Sequence, residues 1–187
     1  MRKRIIKISL ITIISLILFA GLFQFLAPLI TKNTSISIEN IDNEKLDWIR
    51  SDAKNTELQW NENALSSDNS DDYKQIWCSF DVKNITLLKI QCAYFTAKST
   101  DKNMNRIVYV TYPVTPLRCR RFDESKVRIG VVINVKDFSK EDIESFIKTL
   151  SFKSNNNIRI LISNINFPNY STSFKISNDV IFDYGID

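Results

Sequence analysis

The chain has no histidine, three glycines and three cysteines in 187 residues, and each shortage removes a class of chemistry. Without imidazole there is no side chain whose ordinary titration falls near neutrality. Serine and cysteine nucleophiles lose their usual base, and most zinc sites lose a ligand. The glycines are Gly21, Gly130 and Gly185. Loops that cradle phosphate need glycine where the backbone comes close to the ligand, so no nucleotide-binding signature can be assembled and no cofactor is expected. Gly130, inside a strand pattern, reads as a close-packing point or a bulge. Asp68-Asn69-Ser70-Asp71-Asp72 offers oxygen ligands, but the turn glycine and closing glutamate of a calcium loop are missing. It reads as a solvated acidic loop, with no metal site.

What the chain does have is a long apolar run. Arg2, Lys3, Arg4 and Lys7 precede an uncharged stretch from Ile8 to Thr31. Residues 8–30 would make a helix about 35 Å long, enough to cross a hydrocarbon core of roughly 30 Å. The sequence therefore predicts a cytoplasmic basic flank (1–7), a single transmembrane helix (8–30), a tether (31–37) and an extracytoplasmic domain (38–187), oriented by the cations at its N-terminus. A cleaved export signal is the competing expectation. Leu18 before Ala20 and Phe25 before Ala27 make poor cleavage sites.

Neither sign of charge is in excess beyond that flank. Four of the 25 cations precede residue 8, so 21 remain against 21 anions. A nucleic-acid binder carries a basic excess on its working domain. None is present here, so nucleic acid is not expected as a partner.

The remaining stretch, about 155 residues, suits one domain with a real core. Apolar spacing predicts a helix from Asp42 to about Lys54, a short strand at Leu58–Trp60 and a mobile loop at Ser66–Asp72. Alternation predicts strands at Tyr73–Lys83 and Leu87–Thr96, folded into a hairpin at Asn84-Ile85-Thr86 with Cys78 facing Cys92. Arg106–Val114 reads as a strand, and Val127 to Val135 is the most regular period-two run in the chain. Ser139 and Asp142 form a capping box ahead of a helix from Lys140 to Leu150. Ile158–Ile162 reads as a strand, and a last hairpin is expected around Asn178-Asp179. The fold class expected is α+β: one mostly antiparallel sheet, about two packed helices and the transmembrane helix.

Outside the cytoplasm thiols tend to pair, and the hairpin register makes Cys78–Cys92 the expected disulfide. Cys119 lies in Arg118-Cys119-Arg120-Arg121, where neighbouring cations favour a thiolate, but no histidine is available as a base. Tyr112, Leu117, Arg118, Arg120, Arg121 and Phe122 form the best binding candidate, because aromatics and arginine are enriched at interface hot spots and Pro113 and Pro116 stiffen the segment. Trp48, Trp60 and Trp77 read as core. Asn33, Asn84 and Asn169 begin Asn-x-Ser/Thr triplets of the glycosylation type. The function expected is a non-enzymatic module that binds another protein outside the cytoplasm, either as an accessory subunit of an envelope complex or as an immunity-type inhibitor of a toxin. The alternatives are an envelope thiol enzyme using Cys119, and a small-ligand or lipid sensor.

Overall fold

Strand-forming alternation dominates the chain, and two mostly antiparallel sheets result. The structure is a computed structural model that describes residues 9–19, 29–51, 60–86, 88–100, 104–111, 117–160 and 163–185. Residues 9–19 are helical (α1). The strands are β1 (Leu29–Asn40), β2 (Tyr73–Asn84), β3 (Lys89–Ser99), β4 (Ile107–Thr111), β5 (Leu117–Cys119), β6 (Glu124–Asn134), β7 (Leu150–Ile160), β8 (Ser163–Lys175) and β9 (Phe182–Asp183). The other helices are α2 (Asn43–Ser51) and α3 (Lys140–Lys148). One sheet has the order β4-β6-β2-β1-β9, the other β5-β3-β7-β8.

The sheets pack face to face. Alternate residues of β2 (Ile76, Cys78, Phe80, Val82) and β6 (Val127, Ile129, Val131, Ile133) join Phe95, Phe152 and Phe174 of the second sheet in one core. Phe80 meets both Phe152 (6.1 Å) and Phe174 (5.4 Å) edge-on, an orientation that aromatic quadrupoles favour. Helix α3 adds Ile143, Phe146 and Ile147 to that core. The outer face of the five-stranded sheet carries a second, smaller core, where Leu46 and Ile49 of α2 cover Tyr73, Tyr109 and Val132.

Both helices begin as the sequence predicts. Asp42 accepts from the Lys45 amide at 2.7 Å. Ser139 and Asp142 exchange reciprocal bonds, Asp142 N to Ser139 Oγ at 3.1 Å and Ser139 N to Asp142 Oδ2 at 3.0 Å. These bonds hold the Asp142 carboxyl below the usual carboxylate range. Ser139→Ala is expected to lower stability by about 1 kcal/mol, read as a shift in urea midpoint at unchanged slope.

Several expectations are corrected. Among the described residues no helix is long and apolar enough to cross a membrane. Residues 9–19 are helical, and the rest of the predicted span up to residue 28 lies outside the described residues. Leu29 and Ile30, the end of the predicted span, are strand residues opposite Asn84 and Lys83. Their backbone belongs to a ladder and not to a helix. The expected tether, Thr31–Ser37, lies in β1, whose Ile36 and Ile38 enter the core. The fold is mixed α/β and mostly strand, with three helices and two sheets among the described residues, where one sheet, two packed helices and a membrane-spanning helix were expected.

The β2–β3 hairpin does not form. Both edges of β2 are taken, by β1 and by β6, and β3 pairs with β5 and β7 in the other sheet. Cys78 therefore faces Ile36 and Ile129 across its ladders, and Cys92 faces Leu117. The expected Cys78–Cys92 disulfide is absent, and all three cysteines are buried free thiols. Strands β6 and β7, on either side of α3, belong to different sheets, so this strand–helix–strand stretch is not a crossover within one sheet. The final segment pairs in parallel with β1, Ile36 opposite Phe182, rather than as a hairpin. The acidic loop is tied down: Asp68 bonds Arg50 at 2.7 Å, and Ser67 and Tyr73 exchange hydrogen bonds. Leu58 and the residues after Ser51 that were predicted to continue the helix lie outside the described residues.

Candidate functional site

The predicted binding segment divides into an anchor and a display. Tyr112 lies outside the described residues. Leu117 and Cys119 point inward from β5 and are buried, whereas Arg118, Arg120 and Arg121 are exposed. Phe122 is 64% exposed and has a φ of 51°. A bulky residue in the left-handed region is strained and persists only where its surroundings enforce it.

The enforcing residue is Asn84, at the end of β2. Its side chain is fully buried. Its Nδ2 donates to the carbonyls of Leu88 (2.7 Å), Arg120 (2.8 Å) and Cys119 (3.3 Å). Its Oδ1 accepts from Thr86 N (2.9 Å) and Thr86 Oγ1 (2.8 Å), and its backbone N donates to Asp123 O (2.9 Å). One asparagine thus staples the β2–β3 connection to both sides of the Phe122 turn. Burial and these bonds also exclude Asn84 as a glycan acceptor, since that modification needs an accessible side-chain nitrogen.

Cys119 does not gain reactivity from its basic neighbours. It is buried, and burial pushes its thiol up to about 11, only partly opposed by a hydrogen bond from Ser125. The arginines beside it face solvent instead. Cys92 is pushed up to about 12 by burial, and Cys78 is raised further by the same cause. Thiolates are disfavoured at all three positions.

A second cluster lies on the outer face of the five-stranded sheet, and nothing in the sequence singles it out. The register sets Tyr109, Val132 and Gln75 in one row and Thr111, Gly130 and Trp77 in the next. Gln75 and Tyr109 are buried, yet Gln75 Oε1, Gln75 Nε2, Tyr109 Oη and Thr111 Oγ1 have no hydrogen-bond partner among the described residues. All three tryptophans approach this patch. Trp48 meets Tyr109 edge-on at 6.1 Å, Trp60 bridges the Tyr109 backbone, and Trp77 lies over Gly130. The rim is charged: Trp77 Nε1 donates to Glu39 at 3.0 Å, and Arg128 stacks on the Trp77 ring at 4.6 Å while pairing with Glu39 at 3.1 Å. Among the described residues no cluster of metal-ligating side chains occurs.

No protein-family model matches the chain, and no curated protein matches it. Among solved structures, a protein from Archaeoglobus fulgidus aligns over 57% of this chain and 88% of its own, at 13% identity and a TM-score of 0.31. At that level the likeness establishes neither fold nor function.

Proposed function

We propose that this chain is a non-enzymatic protein-binding module that engages an acidic partner through the turn after β5. The observation that carries the reading is Phe122, an exposed aromatic held in the left-handed region by a buried asparagine and preceded by exposed Arg118, Arg120 and Arg121. Displaying a ring in this way spends stability. Strain of this kind concentrates where function requires a fixed geometry. A pre-shaped aromatic with adjacent arginines loses little entropy on docking and has the composition of a hot spot. Strand β5 is also the edge of its sheet, so a partner strand could extend the ladder beside the turn. An accessory subunit or an inhibitor would each need only such a surface. The cations at 2–7 ahead of an apolar stretch support work outside the cytoplasm, which a phosphatase fusion at the C-terminus would read.

The thiol-enzyme alternative is disfavoured by the buried, protonated Cys119. The binding reading is tested by crosslinking and affinity capture, followed by titration of the captured partner against variants. Phe122→Gly should raise stability by about 1 kcal/mol by relieving the backbone. The same change should weaken the partner by about 2 kcal/mol, the size of a hot-spot contact. Arg120→Ala with Arg121→Ala should weaken it more at low salt than at high salt. A Phe122→Gly variant that binds every captured partner as well as the parent does would sink the reading.

A further inference from the structure

Strand β6 runs from Glu124, beside the Phe122 turn, to Asn134, and at the Asn134 end a polar cleft opens. Its volume is about 190 Å³, on the order of six waters, which suits a small metabolite. Arg106, Lys136, Asp137, Asn63, Asn105 and Ser66 line it. Its wall is built by Asn134, which is buried. The Asn134 Nδ2 donates to the Ala64 carbonyl at 2.9 Å, and its Oδ1 accepts from the Lys136 amide at 3.0 Å. Arg106 is fixed from two sides. Its Nη1 donates to the Lys136 carbonyl at 2.7 Å, and its guanidinium stacks on Phe138 at 4.2 Å. Among the described residues its Nη2 and Nε have no partner, and Arg106, Lys136 and Asp137 form no ion pair. Asp137 is set by a tight turn. The Phe138 amide donates to the Val135 carbonyl at 2.9 Å, and Asp137 has a φ of 66°, at a turn position that ordinarily takes glycine or asparagine. The chain places a carboxylate there instead, beside two unpaired cations.

We infer that this cleft binds a free acidic α-amino acid, aspartate or glutamate. The charges set the class. The cleft offers two cations and one anion, and such a ligand carries two carboxylates and one ammonium. A guanidinium already packed against a ring loses little freedom on pairing, and it grips a carboxylate with two parallel bonds. Lys136 supplies a point charge for the second carboxylate, and Asp137 answers the ammonium. The Asn63 and Asn105 amides and the Ser66 hydroxyl can donate to the remaining carboxylate oxygens. Other ligand classes leave a charge unanswered or opposed. Phosphate, or a dicarboxylate without an amine, brings two negative charges up to Asp137 with nothing to meet it. An acidic side chain of a protein lacks the ammonium as well. A neutral sugar leaves Arg106 unpaired, and a divalent metal would find one carboxylate and two cations. The cleft shares no residue with the Phe122 turn and lies at the other end of β6, so the two readings stand or fall separately.

The test is isothermal titration calorimetry of the full chain at low ionic strength with aspartate and glutamate, against glutamine, succinate and inorganic phosphate. Aspartate or glutamate should give a saturable heat at millimolar concentration or below, and the three controls should bind at least tenfold more weakly. Arg106→Lys keeps the charge but loses the fork, and it also removes the prop under the Lys136 carbonyl, so it risks the turn. Asp137→Asn is the deciding variant, because asparagine tolerates the left-handed backbone and Asp137 is exposed. It should weaken the acidic amino acid at least tenfold, leave succinate no weaker and leave the melting temperature unchanged. Lys136→Met should abolish the preference for glutamate over glutamine. The inference is overturned if neither acidic amino acid binds, if Asp137→Asn binds it as tightly as the parent does, or if succinate or phosphate competes on equal terms, which would make the cleft an unselective anion patch.

Discussion

Replacing Asn84 with alanine should destabilise the domain by about 3 kcal/mol, more than any other single polar change. The side chain is fully buried and satisfies the carbonyls of Leu88, Cys119 and Arg120 while accepting from Thr86. Each buried carbonyl left unpaired costs roughly 1–3 kcal/mol. The lower part of that range applies to Leu88 and Arg120, whose bonds are only part-buried and which water can partly recover. Asn84→Asp should be worse than Asn84→Ala, since it turns the donor into a carboxylate oxygen facing the same carbonyls and buries a charge. Urea denaturation checks both, with the midpoint falling at constant slope. The variant also separates fold from function: release of the Phe122 turn should weaken partner binding even under conditions where the protein is still folded. A loss of less than about 1 kcal/mol would show that these carbonyls are hydrated in the native state.

Phe80→Ala should be costlier still, about 3–5 kcal/mol. Phe80 is 1% exposed and sits where the two sheets meet, in edge contact with Phe152 and Phe174. Removing the ring leaves a void that two rigid ladders cannot close, and both edge-to-face pairs are lost with it. Domains of this size are commonly stable by only 5–15 kcal/mol, so a single truncation at this point consumes much of the margin. Phe80→Leu should recover more than half of the loss by refilling the volume. Thermal and urea unfolding of the pair would measure this. Near-equal stability of Phe80→Ala and the parent would mean that the sheets do not pack through this ring.

The two halves of the fold were legible to very different degrees. Helix α3 and its capping box were readable because every signal lies within a dozen residues: Ser139, Asp142, then Ile143, Phe146 and Ile147 at helical spacing. Strand β6 was readable for the same reason, its alternation being complete within itself. The pairing of β2 was not. Alternation in β2 and β3 is equally compatible with a hairpin and with strands in two facing sheets, since both arrangements bury the same residues. The deciding fact is that β1 and β6, one before and one well after β2 in the chain, occupy its two edges. The expected disulfide failed with that pairing, as it depended on a register between strands that never meet. Strand β1 was hidden because its only regular apolar signal, Ile36 and Ile38, follows a bulge at Asn33–Ser35 and a run of Ser, Thr and Asn that reads as linker.

The candidate sites divide in the same way. The composition of the Arg118–Phe122 turn was visible, but not the strained backbone of Phe122, which arises from an asparagine some forty residues earlier in the chain. The Gln75 cluster was invisible, because Gln75, Tyr109 and Thr111 are unremarked residues until the register sets them around Gly130.

Residue types and short-range spacing settled where α3 begins and which strands have a buried face, because those properties depend on side chains a few positions apart. Strand partners, the state of the cysteines and the convergence of four unpartnered polar atoms were set by long-range pairing. That pairing is a competition among alternative ladders of similar local merit, and only the packing of the whole chain resolves it.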